Sequence, residues 1–118
     1  MNDQMTLGAR AEAAVAAEMV RRGYVLVARN ERKPWGELDV VCRNATEWVF
    51  VEVRSRGAPE HEEDALDSLS PRKRAHVRRA AEIFLAHRPE DYEEVRFFAA
   101  SVTWDQGAPC IRIIEDAF

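Results

Sequence analysis

Apolar side chains recur every three or four residues in two stretches of the chain, which is the spacing of a helix with one buried face. The first stretch, residues 5–22, is rich in alanine and ends before Gly23, a residue type that often follows a last helical turn. The second runs from residue 71 to about residue 88. Ser70 precedes it as an N-cap, and Pro71 suits the first helical position. The pattern therefore predicts two helices.

Five other stretches are short and rich in β-branched and aromatic residues, which predicts strands. They span residues 24–29, 36–43, 47–56, 95–103 and 110–114. The residues between the first two strands, 30–35, are expected to form a connection, and the tight turn 44–46 should join the next two strands as a hairpin. The element order is αβββαββ, which predicts an α/β (α+β) fold with one mixed sheet and flanking helices.

Composition limits the classes of protein that this chain can represent. Its 118 residues fit a single domain, 1–118, and 47% hydrophobic with 32% charged residues is the balance of a folded protein. No run approaches the roughly 20 apolar residues that cross a bilayer, and the first residues lack the features of a signal peptide. We therefore expect a cytoplasmic protein without a membrane partner.

The net charge is −4, but positive and negative residues are distributed unevenly along the chain. An acidic loop, 60–67, runs directly into a basic helix start, although the helix dipole disfavours cations there. Two explanations remain open: the cations contact the phosphates of a nucleic acid, or they form a solvated face that pairs with the acidic loop. The cationic residues of this basic cluster are Arg72, Lys73, Arg74, Arg78 and Arg79.

Carboxylates interrupt the apolar pattern of the second and third strands. In the third strand, alternation puts Glu52 and Arg54 on the face opposite Val53. In the second strand, the same alternation separates two sets of residues. One face would hold Glu37, Asp39 and Val41, and the other face would hold Leu38, Val40 and Cys42.

Pairing of these two strands can bring two carboxylates together. A register in which paired residue numbers sum to 91 would put Asp39 directly opposite Glu52. Adjacent carboxylates resist joint ionisation unless a cation lies between them, and a hard divalent ion is the usual solution. Arg54 could then steady a hydroxide or the charge on a phosphate. The alternative is a solvated hairpin face with ordinary ion pairs.

Several segments of the chain resemble the YraN family of small bacterial proteins. Residues 36–41 and 49–56 are similar to its GEIDLI and VFVEVKxR motifs. Shorter matches extend the resemblance over nearly the whole chain, at residues 8–12, 23–24, 28–30, 70–73 and 115–118. The family is related to archaeal Holliday junction resolvases and to the PD-(D/E)xK, or restriction-endonuclease-like, superfamily.

The resemblance implies a metal-dependent endonuclease that uses Mg²⁺ or Mn²⁺ and acts on DNA, with branched or damaged DNA among the candidate substrates. Carried over by position, Asp39 and Glu52 are metal ligands, the main-chain carbonyl of Val53 adds a third, and Glu12 reaches the site from the first helix. The oligomeric state stays open, a homodimer included.

Two positions depart from the family pattern. Arg54 stands where the family has its catalytic lysine, and an arginine keeps the charge but cannot give up a proton. Phe98 stands where the family more often has an aspartate. Lys73 lies four residues before Val77 on the inward stripe of the second helix, so it could either cover that stripe or reach the carboxylates. A non-catalytic nucleic-acid-binding or adaptor module that retains the nuclease fold is therefore the alternative function.

Overall fold

The computed structural model describes residues 6–56 and 67–118. Its helices and strands are α1 (Leu7–Arg21), β1 (Val25–Lys33), β2 (Gly36–Arg43), β3 (Glu47–Ser55), α2 (Pro71–Ala86), β4 (Glu94–Asp105) and β5 (Ala108–Ile114). The predicted order αβββαββ is confirmed, and the arrangement agrees with the restriction-endonuclease-like α+β fold that the resemblance implied. None of the helices described is both long and apolar enough to span a bilayer.

All five strands form one mixed sheet in the spatial order β1-β2-β3-β4-β5. Neighbouring strands are antiparallel except β3 and β4, which are parallel. A parallel pair needs a long crossover, and α2 lies within the connection from β3 to β4.

Each face of the sheet is covered by apolar side chains, which explains why the central strands read as nearly continuous apolar runs. On one face α1 packs through Val15 and Met19, which are fully buried. On the other face α2 packs through Val77 and Phe84 against Phe50. The edge of Phe84 meets the Phe50 ring at a centroid distance of 6.0 Å. Each helix therefore fixes one side of the sheet, and the ends of the central strands can receive residues from both.

The start of α2 is set by its sequence, as predicted. Ser70 has extended backbone angles, its Oγ accepts a hydrogen bond from the Lys73 N–H at 3.2 Å, and Pro71 occupies the first helical position. The helix ends at Ala86, two residues before the predicted end. Because the cap fixes the first turn, it also fixes the direction in which Lys73 leaves the helix.

Strand β1 is longer than predicted, and the expectation of a connection over residues 30–35 was wrong. The strand continues to Lys33, which pairs with Gly36, so that only residues 34 and 35 form the turn. The polar residues at this end gave no apolar alternation, but the backbone pairs with β2 all the same. The extension places Arg32 in the sheet, opposite Glu37.

Pairing between β2 and β3 follows the predicted register, with Val40 opposite Val51 and Arg43 opposite Trp48. The predicted face of Leu38 was wrong, because this residue packs in the α2-side core rather than with Val40. Gly36 has a φ of +155°, and a Cβ at this position would lie 2.8 Å from the Ala80 Cβ of α2. This close approach draws the beginning of β2 toward α2, and it accounts for the interrupted alternation of faces at Leu38.

Candidate functional site

The site lies where the regular pairing of β2 and β3 stops. The last residues paired in the ladder are Val40 and Val51, and the next residues along each strand are Asp39 and Glu52. Asp39 turns toward the neighbouring backbone, because its Oδ2 accepts a hydrogen bond from the Val53 N–H at 2.9 Å. A carboxylate therefore takes the position of a missing backbone partner at the point where the two strands separate.

Glu52 is the most buried carboxylate of the site, with only 3% of its side chain exposed. Two cations approach its Oε1: Lys73 Nζ at 3.4 Å and Arg54 Nη2 at 4.0 Å. Burial, followed by the neighbouring Asp39 carboxylate, raises the pKa of Glu52 to about 8 against the opposing effect of the two cations. Arg54 projects to the same side of the sheet as Glu52, as the alternation predicted.

Glu12 enters from the α1 side, where the sequence placed it only by resemblance. Arg32 Nη2 lies 3.1 Å from Glu12 Oε2 and 3.5 Å from Asp39 Oδ1, so one nitrogen bridges carboxylates of two elements. Burial, followed by the Asp39 carboxylate, raises the pKa of Glu12. The Asp39 carboxylate is thus close enough to Glu12 to disfavour the ionised form of Glu12.

The sequence reasoning missed Arg32, because residues 30–35 were predicted as a connection. A usable signal was present. If the connection is reduced to Pro34 and Trp35, then Lys33 pairs with Gly36, and Arg32 falls opposite the acidic end of the next strand. A basic residue in that position is a natural partner for carboxylates across the strand pair.

Three carboxylates and three cations meet at this site, so its formal charges balance without a metal. The members are Glu12, Asp39, Glu52, Arg32, Arg54 and Lys73. Within residues 6–56 and 67–118, no group of three or more His, Cys, Asp or Glu side chains is arranged as a metal centre. Carboxylate oxygens nevertheless suit Mg²⁺, which is usually held by one or two carboxylates and keeps several waters. The donor set therefore fits a hard divalent ion, provided that it competes with the resident cations.

Glu52 should make the metal-free protein less stable as the pH rises. Its pKa is about 8 when folded, against an ordinary value of 4.5, so its contribution is fully present below 4.5 and lost as the pH rises through 8. In that window the free energy of unfolding should fall by up to roughly 1.4 kcal/mol per pH unit. We expect a lower melting temperature in EDTA at about pH 8.5 than at about pH 5.5, with a smaller difference in Glu52→Gln. Equal pH slopes in both proteins would contradict this.

The basic cluster of α2 is divided among different contacts. Lys73 reaches Glu52. Arg74 Nε donates to the Leu69 carbonyl at 2.8 Å, and the Arg78 guanidinium lies 4.7 Å from the centre of the Phe97 ring. Arg72 and Arg79 are exposed. The suggested pairing with the acidic loop falls mainly on residues 60–66, which lie outside the described part of the chain.

Position 98, where the chain departs from the family pattern, lies in the core rather than at the carboxylates. Phe98 is fully buried in the α1-side cluster, and its ring meets Tyr24 edge-on at 6.5 Å between centroids. This departure therefore changes the packing of β4, whereas the departure at Arg54 changes the charged site itself.

Comparison with known proteins decides the family. The model of the family described as "Uncharacterised protein family UPF0102" matches residues 11–102, which include all six members of the charged site. The chain belongs to this family. YraN is the UPF0102 family, so the resemblance given by the sequence motifs is confirmed.

UPF0102 proteins from distant bacteria are similar over most of their length. One from Sorangium cellulosum is 47% identical over 116 residues, which cover 95% of this chain and 80% of the relative. One from Shewanella baltica is 41% identical over 114 residues, or 97% of this chain and the whole relative. One from Thermosynechococcus vestitus is 38% identical over 86% of this chain and 84% of the relative. The names of these three relatives state no activity.

Proposed function

We propose that this chain is a metal-dependent endonuclease that acts on DNA phosphodiesters in the cytoplasm, with Mg²⁺ or Mn²⁺ as its cofactor. The observation that carries the proposal is the burial of Glu52 beside Asp39 and Lys73 at the diverging ends of β2 and β3. A buried carboxylate is costly, and a structural ion pair could be replaced by apolar packing at little loss of stability. Strongly perturbed carboxylates that converge with an ammonium are typical of catalytic sites.

Asp39, Glu52 and the main-chain carbonyl of Val53 are the groups that would hold the ion, with Glu12 beside them. A bound divalent ion supplies a water of lowered pKa and offsets the charge of the phosphate. The hydrogen bond from Val53 N–H to Asp39 holds the carboxylate against the β3 backbone. Two of the proposed protein ligands are therefore already positioned relative to each other.

Lys73 and Arg54 are suited to different parts of the reaction. The Lys73 ammonium is compact, has three donors and lies nearer to Glu52 than Arg54 does, so it can orient a water beside that carboxylate. The planar guanidinium of Arg54 can donate two parallel hydrogen bonds to phosphate oxygens. The substitution of lysine by arginine at position 54 would then be compensated from α2.

Nicking of supercoiled plasmid DNA tests this function directly. We expect wild type to nick in Mg²⁺ or Mn²⁺ but not in EDTA, and Asp39→Asn to lose most of that activity because it removes a ligand charge. Glu94→Gln is the control, since Glu94 is exposed and pairs with Glu47 at the opposite end of β3 from Glu52. Nicking that persists in Asp39→Asn would contradict the assignment.

A DNA-binding module without turnover is the second candidate, and one observation favours it. The three site carboxylates already have cationic partners in Arg32, Lys73 and Arg54, so their arrangement does not depend on a metal. In that case the exposed cations of α2 would still meet phosphates, but the buried carboxylates would serve structure. Tight binding of branched DNA or of open plasmid forms, with no cleavage under any metal condition, would favour this candidate.

Both candidates would use the basic cluster of α2 to contact phosphates, and Arg72 and Arg79 are exposed members of that cluster. We expect the double substitution Arg72→Ala and Arg79→Ala to flatten the slope of log affinity against log salt by about two, because each lost phosphate contact removes about one released counterion. Arg21→Ala with Arg22→Ala makes the same charge change about 14 Å from Glu12 along α1. Equal effects in the two double variants would contradict a specific contact.

A further inference from the structure

Arg32 is placed to compete with a metal ion for the same oxygens. Its Nη2 lies 3.1 Å from Glu12 Oε2 and 3.5 Å from Asp39 Oδ1, between carboxylates that come from α1 and β2. These are hydrogen-bonding and ion-pairing distances, whereas a Mg²⁺ ion needs its oxygens at about 2.1 Å. An ion that drew the two carboxylates to that distance would leave no room for the nitrogen between them.

The Arg32 guanidinium has an alternative carboxylate partner outside the pair formed by Glu12 and Asp39. The Arg32 side chain is 40% exposed, and its Nε lies 3.9 Å from Oε1 of Glu37, whose own side chain is 57% exposed. Lys73 and Arg54, by comparison, pair with the more deeply buried Glu52, and their own side chains are 30% and 25% exposed. Among the three site cations, Arg32 is therefore the one that can leave with the smallest rearrangement.

We propose that Arg32 is a resident cation that holds Glu12 and Asp39 together in the metal-free protein and is exchanged for the divalent ion. This inference rests on the metal site proposed above, but it concerns a residue and a step that the metal site alone does not require. The exchange keeps the carboxylate pair neutralised in both states. Arg32 would swing toward Glu37 when the ion enters.

The exchange makes Arg32 an obstacle to metal binding rather than a support for it. If the guanidinium only braced the two carboxylates, its removal would disorder them and weaken the affinity for the ion. If it competes, its removal raises the fraction of molecules whose carboxylates are available, and the apparent affinity rises with that fraction. The two roles therefore predict opposite changes.

Calorimetric titration with Mn²⁺, in the absence of DNA, separates these roles. We expect Arg32→Gln to bind Mn²⁺ roughly tenfold more tightly than wild type. Lys33→Gln is the matched control, because it makes the same charge change at the next, exposed residue of β1; we expect less than about a twofold change there. Weaker or unchanged binding in Arg32→Gln overturns the proposal. No binding by any of these proteins overturns the metal site as well, so the two failures are distinguishable.

Wild-type protein provides a second measurement that does not depend on a variant folding. The side-chain Nε–Hε signal of Arg32, assigned by its loss in Arg32→Lys, should shift as Mg²⁺ saturates the protein. Arg21, whose Nε donates to Glu18 Oε1 at 3.0 Å, is an internal reference that should not move. An Arg32 signal that stays unchanged at Mg²⁺ saturation overturns the exchange.

Discussion

Substitution of Glu52 by glutamine is expected to abolish metal-dependent nicking and to weaken Mn²⁺ binding by at least roughly a hundredfold. Even groups that only support a metal ligand change affinity by about 10–100-fold, and Glu52 is proposed as a ligand itself. Glutamine keeps the shape of the side chain but removes the charge that the ion, Lys73 and Arg54 all approach.

Loss of activity in Glu52→Gln must be separated from loss of fold. The carboxyl is buried with a raised pKa, so the neutral amide should be tolerated and should make the metal-free protein at least as stable as wild type above about pH 8. A folded, inactive Glu52→Gln protein with normal activity in the control Glu94→Gln, which makes the same change at an exposed residue at the other end of the sheet, supports the assignment. A Glu52→Gln protein that binds Mn²⁺ as wild type does contradicts it.

Lys73 and Arg54 are expected to respond in opposite directions. Replacing Lys73 by methionine should lower the nicking rate by roughly 10²–10³-fold, the usual effect of removing one preorganised donor at a reacting group. Changing Arg54 to lysine should raise the rate, because a smaller ammonium leaves more room for the attacking water and the ion. The wild-type protein should still bind the metal ion, but the binding should be weakened because the fixed charge of the Arg54 guanidinium lies close to the ligands.

The control for these cations is Lys33→Met, which changes an exposed lysine outside the site. Nicking rates at saturating Mg²⁺ compare the three variants with wild type. Rapid cleavage by wild type that drops in Arg54→Lys would mean that Arg54 is needed as an arginine. A Lys73→Met protein as active as wild type would mean that another group orients the attacking water.

Much of the fold was predictable because local and long-range signals agree. The pair Ser70 and Pro71 fixes the start of α2, and the short turn before β3 fixes the register that sums to 91. That register brings Asp39 and Glu52 to adjacent positions at the end of a ladder. The sequence therefore contained the acidic pair of the candidate site, although it left open whether Lys73 covers the helix stripe, reaches the carboxylates or contacts DNA with the rest of the basic cluster.

The remaining features depend on contacts between elements that are distant in sequence. The side of the sheet that receives Leu38 depends on how closely Gly36 approaches Ala80, and no pattern within β2 reports that distance. The role of Arg32 depends on Glu12, twenty residues earlier, and on an edge strand whose polar end has no apolar alternation. Both features are consequences of helix packing against the sheet.

The balance of charges at the site explains why the two candidate functions lie close together. The same cations that stabilise the carboxylates without a metal are the groups that would assist a phosphate when the metal is present. Under the proposed function, a small change in this balance, such as arginine at position 54, would shift the protein between turnover and binding alone. The affinity of the site for a divalent ion is therefore the property that separates the two functions.

The most direct test of a divalent-metal site is calorimetric titration with Mn²⁺. It compares wild type with a double variant that carries Asp39→Asn and Glu52→Gln. We expect saturable binding of about one ion per chain in wild type and none in the folded double variant. Absence of saturable binding in wild type, or equal binding in both proteins, would contradict a divalent-metal site built on Asp39 and Glu52.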